Sequence, residues 1–234
     1  MTKKITLAIV ACIAVAVCIL LAFGRRAQRN FFYPKPPPLP SQVNKTTEQL
    51  LAELQSALEK NATNVAKALR PGLSDTEIST LESKYNVTLP NELRTLYKWH
   101  NGIADIEFFP SHHFVTLEDS LKSKPSNATL KPQSAAERAA WALLAAHRNT
   151  WIEIFPDGAG DGYFFDLART NKPGPFFYHM AEAGHYLWFP SLQNFLAALN
   201  ECYQSGAYSP TNDLQTAFAK SEPIWMRFGA PNPE

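Results

Sequence analysis

The chain has 234 residues, 45% of them hydrophobic, enough for one domain with a real core and too many for a disordered polypeptide. Six of its 22 Lys and Arg and none of its 21 Asp and Glu lie in residues 1–40, so 16 bases face 21 acids in the remainder, a net of −5. That balance makes the domain a poor candidate for nucleic-acid binding, which rests on a basic face, and electrostatic steering weakly favours basic partners.

An apolar run of 19 residues begins at Ile5 and ends at Phe23. As a helix it measures about 28 Å, close to the ~30 Å hydrocarbon core of a bilayer. Lys3 and Lys4 precede it, and Arg25, Arg26 and Arg29 follow it. A cleavable signal peptide has a shorter apolar region, about 7–15 residues, and a small-residue exit. Here the run leads through Leu21, Ala22, Phe23 and Gly24 into Arg25, a poor cleavage site. The flanking charges and the terminal position also argue against a buried core helix. Residues 1–26 therefore predict a single-pass signal-anchor in the cell membrane. Ile9, Val10, Ala11 and Cys12 also resemble a bacterial lipobox, which leaves lipidation of Cys12 as an alternative. The basic count of the two flanks favours a cytoplasmic domain; the short N-terminal tail favours the opposite side.

Residues 27–45 form a linker with five prolines in residues 34–40. They predict an extended, semi-rigid polyproline strut of about 3.1 Å per residue that sets the domain a short distance from the bilayer. Two of the three cysteines, Cys12 and Cys18, lie in the apolar run, and Cys202 is alone in the domain, so no disulfide framework or cysteine-based zinc site is expected.

The domain proper is expected over residues 46–204, with a C-terminal extension over 205–234. Leu50, Leu54 and Leu58 recur every four residues, with Leu51 beside them, which predicts an amphipathic helix. Arg70, Pro71 and Gly72 read as a break. Ser74 and Glu77 make a capping box for a helix with Ile78, Leu81 and Tyr85 on one side. Leu89 and Pro90 open another, whose buried face is Leu93, Leu96 and Tyr97 and which Asn101 and Gly102 stop. Residues 113–117 read as a short strand and residues 134–147 as a helix. Residues 151–155 and 163–167 alternate around a glycine-rich turn, a hairpin. Residues 176–179 and 185–189 are two further strands. Ser191 caps a helix carrying Leu192, Phe195, Leu196 and Leu199. One more helix is expected near Leu214 to Ala219, before a proline-marked tail. Helices, then successive hairpin-like strands, then a helix predict an α+β fold with a mainly antiparallel sheet, preceded by a single transmembrane helix.

The glycine turn is the most tempting site. A strand rather than a helix follows Gly158, Gly160 and Gly162, so no helix dipole backs a phosphate cradle. Asp157, Asp161 and Asp166 lack the alternate spacing and distal glutamate of a calcium loop. His100, His112, His113, His147, His179 and His185 are scattered, and no metal site is expected. Cys202 shares the stripe of Leu192 and reads as packing. With no nucleophile, Walker or kinase motif set, neither catalytic residues nor a cofactor is expected. Aromatic residues around the hairpins supply core and, where exposed, anchors for a protein partner.

Three blocks carry a resemblance: residues 89–102, residues 151–167 and residues 189–199. In order and spacing they resemble the SUKH superfamily, which groups fungal cell-wall regulators with bacterial immunity proteins. The resemblance runs from about Thr76 to Leu199. It implies helices packed on one face of an antiparallel sheet and a non-enzymatic binding role, often neutralisation of a toxin. The matching residues are Asn101, Gly102, Trp151, Pro156, Asp157, Gly158, Gly160, Asp161 and Asp166, which read first as fold determinants. The anchor, the strut and the helix near Leu50 depart from a plain member. The expected function is that of a membrane-anchored immunity protein that binds a toxin domain. The alternative is a membrane-attached scaffold or regulator of cell-envelope maintenance.

Overall fold

The computed structural model describes residues 41–123, 150–167, 176–180 and 184–229, all within the unit Pro40–Glu234. Among these residues no helix is long and apolar enough to cross a membrane. The expected span from Ile5 to Phe23, with Cys12 and Cys18, lies outside them, as do the expected helix over 134–147 and His147.

Helix α1 (Thr47–Asn61) begins at Thr46, whose hydroxyl accepts from the Gln49 amide while the Gln49 side chain returns the bond. The leucine recurrence does its expected work: Leu50, Leu51, Leu54 and Leu58 are all buried. α2 (Thr63–Ala68) leads directly into β1 (Leu69–Pro71). Instead of the expected break, these residues pair antiparallel with β2 (His100–Ile103). Pro71 is tolerated because it ends its strand, where its missing amide costs no interior ladder bond. A Cβ on Gly72 would lie 1.9 Å from the Lys98 carbonyl oxygen, so only glycine allows the chain to pass there.

α3 (Asp75–Tyr85) has the expected Ser74–Glu77 capping box. α4 (Asn91–Trp99) starts after Pro90, which lacks the amide that a helix start would leave orphaned. Arg94 joins the two helices, 2.5 Å from Glu82 and 3.4 Å from Asp75. The expected stop at Asn101 and Gly102 is not what ends α4. His100 is already extended, its amide bonded to the Leu96 carbonyl, and Asn101 and Gly102 belong to β2. Pairing with β1, some thirty residues back, decides this. The strand expected over residues 113–117 does not form: no strand is assigned there, and Thr116 caps α5 (Leu117–Lys122). That segment links two sheets: the Ile103 amide donates to the Phe114 carbonyl at 2.8 Å, and the His113 amide to Pro156 at 2.9 Å.

The main sheet is a meander, β3 (Trp151–Pro156), β4 (Gly162–Asp166), β5 (Phe176–Met180) and β6 (Gly184–Phe189), antiparallel throughout in that order. A bulge between Glu153 and Phe155 lets both Ile154 and Phe155 turn inward, where neither is exposed. α6 (Leu192–Gln204), capped by Ser191, lays Phe195 against the sheet, with ring centroids 5.1 Å from Phe155, 5.4 Å from Tyr163 and 4.7 Å from Phe176. Asn200 of α6 donates to the Leu50 carbonyl of α1 at 2.9 Å. On the opposite face of the sheet Trp151, Phe164, Asp166 and His179 are also buried, and Trp151 stacks on Phe177 at 4.4 Å. The sheet is therefore protected on both faces at these positions.

α7 (Leu214–Phe228) runs nine residues beyond the expected end and passes through Pro223. Proline in a helix removes one bond and crowds a carbonyl, at about 3 kcal/mol. The burial of Ile224 and Trp225 on the inner side outweighs it. Trp225 reaches Phe189, Phe195 and Phe109, and its indole N–H donates to the Tyr208 hydroxyl at 2.6 Å.

Candidate functional site: an acidic rim at one end of the sheet

The residues singled out from the sequence fall into three places. Asn101 and Gly102 support the start of α5. The Asn101 side-chain oxygen accepts from the Leu117 amide at 2.9 Å, and Gly102 has φ +85° with the Phe114 carbonyl and Thr116 amide 2.9 Å from where a Cβ would stand. Trp151 and Asp166 face each other across β3 and β4, and Asp166 accepts from the Thr150 hydroxyl at 2.6 Å. Pro156, Asp157, Gly158, Gly160 and Asp161 make the β3–β4 turn.

That turn is organised by one carboxylate. Asp157 Oδ1 accepts from the amides of Ala159 (2.8 Å), Gly160 (3.1 Å) and Asp161 (2.9 Å), and the Asp157 amide donates to the Asp161 carbonyl. Gly158 and Gly160 take the left-handed conformations, φ +80° and +111°, that such a tight wrap needs. The glycines thus serve the carboxylate rather than a bound phosphate.

Beside the turn runs the loop of residues 104–113. Asp105 and Ser111 hold positive φ, and Glu107 accepts from the Ser111 amide at 2.9 Å. His113 Nδ1 lies 3.0 Å from the Ile106 carbonyl, and the His113 amide bonds Pro156, so loop and turn are fastened together. His112 is buried, stacked on Phe109 at 4.7 Å and 5.1 Å from Tyr163. Its Nδ1 bonds the Pro110 carbonyl at 2.9 Å, while its buried Nε2 has no hydrogen-bond partner among the described residues.

The charges of this end act on one another. Burial lowers the His112 pKa, against the pull of the Pro110 bond and of Asp157, Glu107 and Asp161. Burial, and then the charge of Asp157, raises Glu153 on β3 to about 7. Tyr178 on β5 is pushed up to about 12 by burial, with Asp161 and Asp157 adding to it. Glu107, Asp157 and Asp161 thus form one acidic rim, held by hydrogen bonds and backed by aromatic rings. The sequence reading named Asp157 and Asp161 but not Glu107, Glu153, His112 or Tyr178 as their neighbours. Local spacing does not relate Glu153 and Tyr178 to the turn: the sheet register puts them on opposite faces, and each feels the charge of Asp157. Among the described residues no three His, Cys, Asp or Glu gather in a way that could hold a metal ion. Cys202 is fully buried, and burial raises its thiol to about 12.

An antiparallel meander backed by a capped helix, with a fastened acidic loop pair at one end, is an α+β domain. The chain belongs to the SMI1 / KNR4 family (SUKH-1), whose family model matches residues 72–200. This match runs from the capping box of α3 into α6, ending at Asn200, and is consistent with an immunity-type, protein-binding role. No curated protein matches the chain.

Proposed function

We propose that the protein is a membrane-anchored immunity protein that neutralises a toxin domain by binding it, without catalysis. Membership in the SUKH-1 family carries this reading, and the acidic rim supports a basic face on the partner. The apolar run from Ile5 to Phe23 is the proposed anchor; the basic count of its flanks favours a cytoplasmic domain and the short N-terminal tail the opposite side. The alternative, a membrane-attached scaffold or regulator of cell-envelope maintenance, draws on the same family membership.

Crosslinked pull-down of the full-length protein from its own membranes, against a control carrying residues 1–45, separates the two. Immunity predicts one dominant, stoichiometric partner that requires residues 46–234, is toxic when expressed alone and is silenced by co-expression. Several substoichiometric envelope proteins would support the scaffold, and turnover of a small-molecule substrate by the purified protein would sink both. For the rim, Asp161→Lys with Glu107→Lys should slow association at least tenfold at low salt and leave dissociation less affected.

A further inference from the structure

His100 begins β2, and its Nδ1 lies 2.7 Å from the Arg70 carbonyl oxygen of β1. Its Nε2 lies 3.1 Å from Gln55 Oε1 of α1. Gln55 Nε2 donates in turn to Glu59 Oε1, about one helical turn further on, at 2.8 Å. Trp99, the last residue of α4, meets the imidazole edge to face, with ring centroids 4.5 Å apart. α1 and β1 precede residue 72, where the family match begins, and β2 lies inside it. This chain of bonds therefore crosses from elements outside the match to the domain within it.

With a neutral histidine the chain of bonds is one proton short. Both of its ends are acceptors, a backbone carbonyl at Arg70 and a carboxylate at Glu59. A neutral imidazole has one N–H and one lone pair, and a primary amide has an oxygen on one side and an NH2 on the other. Nδ1 has to carry a hydrogen, because the Arg70 carbonyl can only accept. Nε2 of a neutral ring then points its lone pair at Gln55 Oε1. Inverting the amide would give Nε2 a donor but turn the amide oxygen toward the Glu59 carboxylate. With Glu59 ionised, only an imidazolium, a donor at both nitrogens, satisfies every bond.

We propose that Arg70, His100, Gln55 and Glu59 form a proton-operated clasp between α1 and the β1–β2 pair. It closes when His100 takes its second proton. When that proton leaves, the Gln55 amide inverts toward Nε2, and Glu59, already an exposed residue, swings into solvent. α1 presents Gln55 and Glu59 to the ring, β1 the Arg70 carbonyl and α4 Trp99, while Lys98 of α4 is bridged to Asp75 at 2.8 Å. Burial holds His100 below its ordinary 6.5, against the pull of the Arg70 bond, and no charged side chain among the described residues adds to either. The clasp is therefore open at neutral pH and closes in mild acid.

The test uses the full chain in detergent, labelled with nitrogen-15 at histidine, with the His100 signals identified by their loss in His100→Gln. Long-range proton–nitrogen spectra across the acid range read the charge and the tautomer of the ring. His100 should pass from the Nδ1–H tautomer to the imidazolium. Glu59→Gln should lower its midpoint by about half a pH unit, because a second amide can satisfy the chain with the ring neutral. Gln55→Leu cuts the relay but leaves Glu59, and Glu59→Gln in that background should move the midpoint far less. A midpoint that Glu59→Gln leaves in place would overturn the clasp. So would an equal shift in both backgrounds, which would make Glu59 an ordinary neighbouring charge. A neutral ring with its hydrogen on Nε2 would overturn it too, by removing the Arg70 bond.

Discussion

Glu153→Gln exposes the balance between burial and charge at the acidic rim. Glu153 sits on β3 opposite Phe164, and Gly162 makes room for it: a Cβ there would lie 2.6 Å from Glu153 Oε1. Burial first, then Asp157, lifts its pKa from the ordinary 4.5 to about 7. The folded state holds this proton more tightly than the unfolded state. Stability is therefore lost as pH rises from 4.5 through 7, and the full penalty applies above that. The rise corresponds to about 3 kcal/mol at 1.36 kcal/mol per pH unit. Because the carboxyl is only partly buried, solvent screening reduces this to about 1–2 kcal/mol. The neutral glutamine should thus stabilise the domain by about 1–2 kcal/mol at about pH 8, or about 2–8 °C in Tm, and give no gain near pH 4. Thermal melts of the full-length protein in detergent, followed by near-ultraviolet circular dichroism across that range, measure the difference. A variant less stable than the parent at the alkaline end, or equally stabilised at both ends, would refute the argument.

Asp157→Asn keeps an oxygen for the three turn amides but removes the charge, so the Glu153 titration followed by carbon NMR should move to lower pH; an unmoved midpoint would detach Asp157 from Glu153. Gly102→Ala meets both a positive φ and backbone atoms at 2.9 Å, and should cost about 2–4 kcal/mol. Gly158→Ala has φ +80° but nothing within 4 Å, and should cost about 1 kcal/mol in the same urea titration. If the second variant proves as costly as the first, close approach is not what Gly102 serves. Trp225→Ala should destabilise by about 3–5 kcal/mol, because it empties an aromatic cluster and removes the indole N–H bond to the Tyr208 hydroxyl. A melt within a degree of the parent would show that the end of α7 is not part of the core.

Where a structural cue was local, the chain declared it. Ser74 and Glu77 lie within one helical turn, so their capping box was legible as written. The leucines of α1 and the stripe of α6 likewise predicted their buried faces, because helix periodicity needs no distant partner. The β3–β4 hairpin was legible from alternation and its glycines. Resemblance over three separated blocks pointed to the SUKH superfamily, and the SUKH-1 family match over residues 72–200 agrees with it.

Elements that depend on distant partners were read differently from how they fold. Arg70 and Pro71 looked like a break because their partner β2 lies about thirty residues on, and the same pairing takes Asn101 and Gly102 out of the helix stop. Pro223 looked like an end to helix because intrinsic propensity says so; the cluster of Tyr208, Phe189 and Phe195 that receives Trp225 reverses it. By itself, then, the sequence determined the helical faces, the caps, the hairpin and the acidity of the domain, all set within a few residues or by composition. The tertiary structure alone decided the rim that joins Glu107 to Asp157 and Asp161, and the fastening of Ser41 to the Arg227 carbonyl at the end of α7. Both depend on strand register and helix packing, which bring together residues that no local period relates.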